Sequence, residues 1–168
     1  PLFNRRDDAY GGPLAARMRL VLEVVEAVRR AVGPAFPVAI KINATDPLEG
    51  GFADDEALAL VAALDQTGLD LIAISGGPYF PGSRAASDSG GSGPYFAAFA
   101  RRARRVTTKP LMLTGGLKTR AQATEALAQG DADIVGLARA MILDPALPRR
   151  WHADQGDVAF PRFSAPPE

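Results

Sequence analysis

Apolar residues along this chain recur in two alternating rhythms. Over residues 13–32 (PLAARMRLVLEVVEAVRRAV), Leu20, Val21, Val24, Val25 and Val28 return at helical spacing with Glu and Arg between them. Pro13 suits the first turn of that helix and Gly33 its end. A short β-rich run follows a proline at 37–43 (PVAIKIN). The pattern then predicts a helix over 54–67, with Asp54 as N-cap and Gly68 after its end, and a strand over 69–75 (LDLIAIS). Residues 76–94 are rich in Gly, Ser and Pro and read as a long loop. Beyond it come a helix over 95–106, a strand over 109–114 (KPLMLT), a helix over 119–129 and a strand over 132–138 (ADIVGLA). A short helix is expected over 145–154, then a proline-containing tail.

Strands alternating with helices pair in parallel through right-handed crossovers. The strands are nearly continuous apolar runs, as expected when both faces of a sheet are covered. Two architectures fit: an open doubly wound sheet, or part of a (β/α)8 barrel. In both, ligands sit at the carboxyl ends of the strands, which here carry Asn43, Gly76–Gly77, Gly115–Gly116 and Arg139. A complete barrel needs about 250 residues. This chain has 168, enough for one domain with a real core but for half of a barrel. It opens on Pro1 rather than Met, which fits an excised or truncated piece. If its last two strands are barrel strands 7 and 8, its first is strand 5. On that reading residues 1–150 are the carboxyl-terminal half of the barrel and 151–168 a tail.

Composition narrows the chemistry. Lys+Arg and Asp+Glu are 19 each, so no basic excess favours nucleic acid. No apolar run is long enough to span a membrane. There is no Cys and a single His, which excludes disulfides, thiolate metal sites, cysteine nucleophiles and a multi-histidine metal site. No secretory leader pattern opens the chain, so the cytoplasm is the default expectation.

Three places hold candidate chemistry. In VAIKIN, alternation places Ala39, Lys41 and Asn43 on one face and Val38, Ile40 and Ile42 on the other. In a barrel strand the polar set suits the inward face near the mouth, where Lys41 would need an anionic partner. Otherwise it is a strand-end lysine reaching water. In LTGG, Gly115 and Gly116 let backbone approach a ligand and offer bare amides to an anion, or simply form a βα turn. In VGLAR, Gly136 and Ala138 are small and Arg139 follows, a side chain suited to clamping phosphate or to an ordinary surface ion pair. The last two features lie one βα unit apart, where barrels build a phosphate site. No GxxxxGK[ST] and no GxGxxG occurs. The pair Gly76–Gly77 reads as a strand terminator or a third ligand loop. Arg101, Arg102, Arg104 and Arg105 read as a solvated helix face, Trp151 and His152 as packing or surface residues, and Asp7 and Asp8 as loop or capping residues.

Together these segments resemble the old yellow enzyme-type NADH:flavin oxidoreductases, which include the 2,4-dienoyl-CoA reductase-like enzymes. The opening PLFNRRDDAYGGPLAARMRLVLEVVEAVR is similar to that family's segment through Pro1, Asn4, Arg5 or Arg6, Asp8, Tyr10, Gly11, Gly12, Arg17, Arg19 and Glu23. VAIKINATDPLEGGF, DLIAISGG, PLMLTGGLKT and ADIVGLARAMILDPALP continue it in order, to about Pro148. Pro13 and Ala16 depart from its usual Ser and Asn. The resemblance implies FMN in a (β/α)8 barrel, with NADH or NADPH as reductant and an activated alkene or related small molecule as substrate. It implies Lys41 against the pyrimidine side of the flavin near N1 and O2. It also implies the FMN phosphate on Gly115, Gly116, Ala138 and Arg139, with Gly136 beside them. The family's substrate-binding His pair, or His and Asn, its proton-donating Tyr and its first flavin-binding strand lie upstream of the opening segment, so no catalytic residue is assigned here. The iron–sulfur domain of larger members has no counterpart in a chain without Cys. A lone half-barrel has two open edges and is expected to self-associate or to need its missing half. Two other readings remain at this stage: a phosphate-binding barrel lyase or isomerase with Lys41 as Schiff-base nucleophile, and a non-catalytic half-barrel fragment.

Overall fold

The computed structural model of the chain describes residues 1–46, 48–76 and 93–160. Most of the long glycine- and serine-rich loop, with Gly77, lies outside the described residues. The elements run α1 (Leu14–Val32), β1 (Ala39–Asn43), α2 (Asp54–Asp65), β2 (Leu71–Ser75), α3 (Ala97–Ala103), β3 (Leu111–Thr114), α4 (Arg120–Ala128), β4 (Ile134–Gly136), α5 (Arg139–Leu143) and α6 (Leu147–His152). The four strands are parallel and adjacent in chain order, β1-β2-β3-β4. A doubly wound sheet reverses its strand order at a switch point. This sheet has no reversal, and with right-handed crossovers its helices fall on one face.

The register shows the two faces. Ile42, Ile74 and Leu113 form one row and are buried, as are Ile72 and Leu111 below them. The helices cover this side, with Ala57, Val61 and Leu64 from α2 and Phe99, Ala100 and Ala103 from α3 in the same core. The opposite row is Lys41, Ala73, Met112 and Ile134, in which Lys41 and Ile134 are exposed. The alternation read in VAIKIN therefore separates a helix-covered face from an open one.

Carboxylates pin the amino ends of the strands. Asp70 accepts the Val38 amide at 2.7 Å and pairs with Arg29 of α1. The same arginine bonds the carbonyls of Gly68 (2.8 Å), Gly33 (2.8 Å) and Phe36 (2.7 Å). One βα pair later the device repeats: Asp133 accepts the Leu111 amide at 2.8 Å and pairs with Arg104. Asp65 accepts from the Thr107 hydroxyl and the Thr108 amide, each at 2.7 Å. These bonds hold all three carboxyls below the ordinary range: first the Val38 amide for Asp70, the Leu111 amide for Asp133 and the Thr107 hydroxyl for Asp65.

Several expectations need correction. The N-cap of α2 is Ala53 rather than Asp54: the Glu56 carboxylate reaches back to the Ala53 amide (3.4 Å), so Asp54, Asp55 and Glu56 fill the first turn. The arginines at and after the end of α3 are solvated as expected, yet three of the four are also paired. Arg102 pairs with Asp54 and Asp55, Arg101 with Asp131 and Arg104 with Asp133, which ties α3 to its neighbours. On α1 the buried residue is Val25, while Leu20 (55%), Val24 (51%), Val28 (40%) and Val32 (40%) form an exposed apolar stripe. The helix expected over 145–154 is α6, and a further short helix, α5, precedes it, parted from it at Asp144, which accepts the Ala146 amide (2.9 Å) and binds Arg150 (2.9 Å). Around them Leu147 and Trp151 join Ala123 and Ala140 in a second buried cluster.

Candidate functional site

At the carboxyl end of the sheet, three of the four strands, β2, β3 and β4, stop at or just before a glycine. At Gly136, a Cβ would sit 2.1 Å from Thr114 Oγ1 on the neighbouring strand. At Gly116 (φ +78°) it would meet the Gly93 carbonyl oxygen at 1.9 Å. The empty side-chain space at Gly116 is thus used by the loop 93–95, whose Tyr95 amide donates to the Gly115 carbonyl at 3.2 Å. Phe96 is buried between the ends of β2 and β3, with its ring where Cβ atoms of Gly76 (2.5 Å) and Gly115 (3.1 Å) would be. Gly76 is therefore a packing glycine.

A cavity of about 80 Å³ opens at the ends of β3 and β4. Gly115, Gly116, Gly136, Ala138 and Arg139 all line it, so the two separate sequence signals converge on one place. Arg139 does not end a strand, as expected from the sequence. β4 stops at Gly136, and Arg139 opens α5. As first-turn residues of α5, Arg139 and Ala140 have amides with no intrahelical acceptor. The lining includes no Asp or Glu, and among the described residues neither Arg139 nor Lys118 is in an ion pair.

Lys118 and Phe160 line the cavity and were not singled out from the sequence. The available signal for Lys118 was a cation two residues after a glycine pair. Phe160 carried none, because it approaches from a segment without periodicity. Lys41 is elsewhere. It lies in β1 on the open face that also carries Thr114 and Gly136, but β1 and β4 are the opposite edges of the sheet. Three strand spacings of about 4.8 Å separate those edges. The arrangement can hold a small anion at one end of a longer ligand lying across the open face. No cluster of three metal-ligating side chains occurs among the described residues, and none of their helices is long and apolar enough to cross a membrane.

The opening segment is a closed network. Arg6, not Arg5, pairs with Asp8, and that bond, with the Tyr10 amide at 3.0 Å, lowers the Asp8 carboxyl to about 2. Asn4 donates to the Tyr10 carbonyl (2.7 Å), and the Tyr10 hydroxyl donates to Glu23 of α1 (2.9 Å), which raises its pKa. Arg17 bonds the Gly12 carbonyl (2.9 Å) and Glu56 of α2. These side chains fasten the start of the chain to two helices.

Comparison with known proteins decides the family, since the model for the NADH:flavin oxidoreductase / NADH oxidase family matches residues 1–157. The chain belongs to that family. The NADH-dependent flavin oxidoreductase iliE of Neonectria sp. (strain DH2) is 36% identical over 158 residues, covering 87% of this chain and 20% of the relative. Among solved structures, 2-naphthoyl-CoA reductase in complex with 2-naphthoyl-CoA superposes with a TM-score of 0.82 at 27% identity, over 91% of this chain and 23% of that one. Morphinone reductase in complex with tetrahydroNAD gives 0.68 at 28% identity, over 90% and 38%. The chain therefore spans a fifth to two fifths of the length of these relatives. Its parallel α/β sheet matches that of the old yellow enzyme-type barrels.

Proposed function

We propose that this chain forms strands 5 to 8 of a (β/α)8 barrel and the flavin-holding part of an FMN-dependent NAD(P)H oxidoreductase of the ene-reductase type. The observation that carries this reading is the cavity at the ends of β3 and β4, whose lining joins glycine-rich backbone with Arg139 and Lys118, neither of them paired with a carboxylate among the described residues. That donor set fits a phosphate monoester. The open face, carrying Lys41, fits the remainder of an elongated cofactor.

Bound there, FMN would supply hydride transfer between NAD(P)H and a small activated alkene. The chain's own part is binding and electrostatics. Gly115, Gly116, Gly136, Ala138 and Arg139 hold the phosphate end. Lys41 would set a positive charge beside the pyrimidine side of the ring and so favour its more negative, reduced form. The substrate-binding and proton-donating groups belong to the other half of the barrel.

Three features support the half-barrel. β1 is an edge strand, the face carrying Lys41 and Ile134 is open, and the stripe Leu20, Val24, Val28 and Val32 lies on the outer side of α1. In a barrel these are the surfaces a preceding βα unit and the facing strands cover. Left alone, they invite self-association.

The test is the full-length gene product. It should purify with a flavin absorbance band and oxidise NADH or NADPH. Lys41→Met should keep the flavin but slow its anaerobic reduction on the order of 100-fold, and Lys41→Arg should restore most of the rate. A gene product that takes up no flavin overturns the assignment. Wild-type reduction rates in Lys41→Met overturn the role of that side chain.

A further inference from the structure

The lining of the cavity at the ends of β3 and β4 includes Phe160, the last of residues 154–160, which have no regular secondary structure. They are nevertheless fastened. Asp157 accepts the Arg120 amide at 2.8 Å, in the first turn of α4, and Asp154 pairs with the Arg120 side chain. Val158 and Phe160 pack against the cluster of Ala123, Ala140, Leu147 and Trp151. Phe160 then reaches the cavity, and the Lys118 ammonium lies 5.6 Å from its ring centroid, within cation–π range.

Lys118 is held from its backbone as well. Thr119 and Gln122 form a capping box on α4, with the Thr119 hydroxyl accepting the Gln122 amide at 3.2 Å. The Gln122 side-chain oxygen accepts the amides of Lys118 (2.8 Å) and Thr119 (3.2 Å). The lysine is thus placed by two independent devices: its main chain by the cap and its ammonium by an aromatic ring. It is half-buried, with no carboxylate partner among the described residues. An ammonium drawn partly out of water and left without an anion is unfavourable. A site that spends two fixing devices on such a group is built for an anion that arrives.

We infer that Lys118, steadied by Phe160 of the carboxyl-terminal segment, is a second cation on the phosphate of the cofactor. The inference rests on the flavin reading above and adds to it a residue pair and a segment. Charge balance supports it. A phosphate monoester carries about −1.5 to −2 near neutral pH. Arg139 alone leaves it under-neutralised, and Arg139 with Lys118 matches it. Lys118 directly precedes the cap of α4 and Arg139 opens α5, so the anion bridges the start of α4 to the start of α5. The cavity, at about 80 Å³, takes a group of a few heavy atoms and not a fused ring system.

The experiment is a pair of fluorescence titrations on the flavin-stripped full-length gene product, one with FMN and one with riboflavin, which lacks the phosphate. Wild type should prefer FMN. Lys118→Gln should weaken FMN roughly tenfold and leave riboflavin within about twofold, and Lys118→Arg should recover most of the loss. Phe160→Leu keeps the apolar packing and removes the ring, so it should weaken FMN selectively without lowering the melting temperature. If wild type binds FMN and riboflavin equally, the phosphate cavity itself is misassigned and the flavin reading fails. If wild type prefers FMN and Lys118→Gln binds it as tightly, or loses both ligands equally, only the role of Lys118 falls. If Lys118→Gln behaves as expected but Phe160→Leu does not, the carboxyl-terminal segment has no part in the site.

Discussion

Gly116 and Gly130 offer a controlled measurement of how tightly the site is packed. Both have positive φ, +78° and +72°. A Cβ at Gly130 meets nothing within 4 Å, whereas at Gly116 it falls 1.9 Å from the Gly93 carbonyl oxygen. For Gly130→Ala the left-handed conformation costs about 1–2 kcal/mol, offset by about 0.4–1 kcal/mol because alanine restricts the unfolded chain. A net loss near 1 kcal/mol is expected. Gly116→Ala carries the same terms and a steric one. Carbon and carbonyl oxygen rest comfortably at about 3.3 Å or more, so the loop at Gly93 must retreat by more than 1 Å. That movement costs about 1–3 kcal/mol as overpacking and endangers the bond from the Tyr95 amide to Gly115, worth about 1 kcal/mol. The steric difference between the variants should therefore be about 1–4 kcal/mol. Urea unfolding of this chain, followed by the fluorescence of its single tryptophan, buried Trp151, reads both. Variants that differ by less than about 0.5 kcal/mol would refute the packing of loop 93–95 on the glycine pair.

Two further outcomes are expected. The carboxyls of Asp65, Asp70 and Asp133 lie below their ordinary range in the folded chain. Their contribution is therefore fully present above the unfolded carboxylate pKa and is lost as pH falls through the depressed folded values. Urea midpoints should drop on acidification, and Asp133→Asn, which can still accept the Leu111 amide, should lower the neutral midpoint and flatten the acid limb; an unchanged limb would mean this carboxylate does not titrate with folding. On α1, Val24→Asn should leave this chain's stability within about 0.5 kcal/mol, as at other exposed positions, yet destabilise the full-length product by about 1–3 kcal/mol, as loss of a buried valine does. Equal effects in both would show that nothing covers the stripe.

The order of elements was legible because each strand is a short apolar run ended by Gly or Asn and each helix has its own period. The winding was not. Both a doubly wound sheet and a barrel segment satisfy the same alternation, and the observed order, β1 beside β2, β2 beside β3 and β3 beside β4, is not written in the pattern. Boundaries moved where a side chain took a backbone amide, as Glu56 does at Ala53. The face of α1 was unreadable for a different reason: Val24 and Val25 are equally apolar, and which one is buried depends on which neighbours are present. At the cavity, Gly115, Gly116, Gly136, Ala138 and Arg139 could be picked out because they lie at or shortly beyond the ends of β3 and β4. Lys118 was harder to see because its surroundings arise from a helix cap and a distant ring.

A net charge of zero conceals a division of labour along the strand axis. At the amino ends, Arg29 meets Asp70 and Arg104 meets Asp133, and each aspartate also takes a backbone amide from the start of a neighbouring strand. Those charges are consumed in fastening strands to helices and stabilise the sheet. At the carboxyl ends the cavity lining holds Arg139 and Lys118 without a carboxylate. Cations left unpaired beside loops that end strands do little for folding, and their mutual repulsion opposes it. On the flavin reading proposed above, they become favourable when the cofactor's phosphate binds, and the arrangement it binds is the one that the paired aspartates at the other end hold. Breaking an aspartate staple should therefore weaken FMN binding only as far as it unfolds the chain, while removing Arg139 should weaken FMN binding and leave the urea midpoint unchanged or slightly raised. A lower midpoint in Arg139→Gln would place that arginine among the fastenings instead.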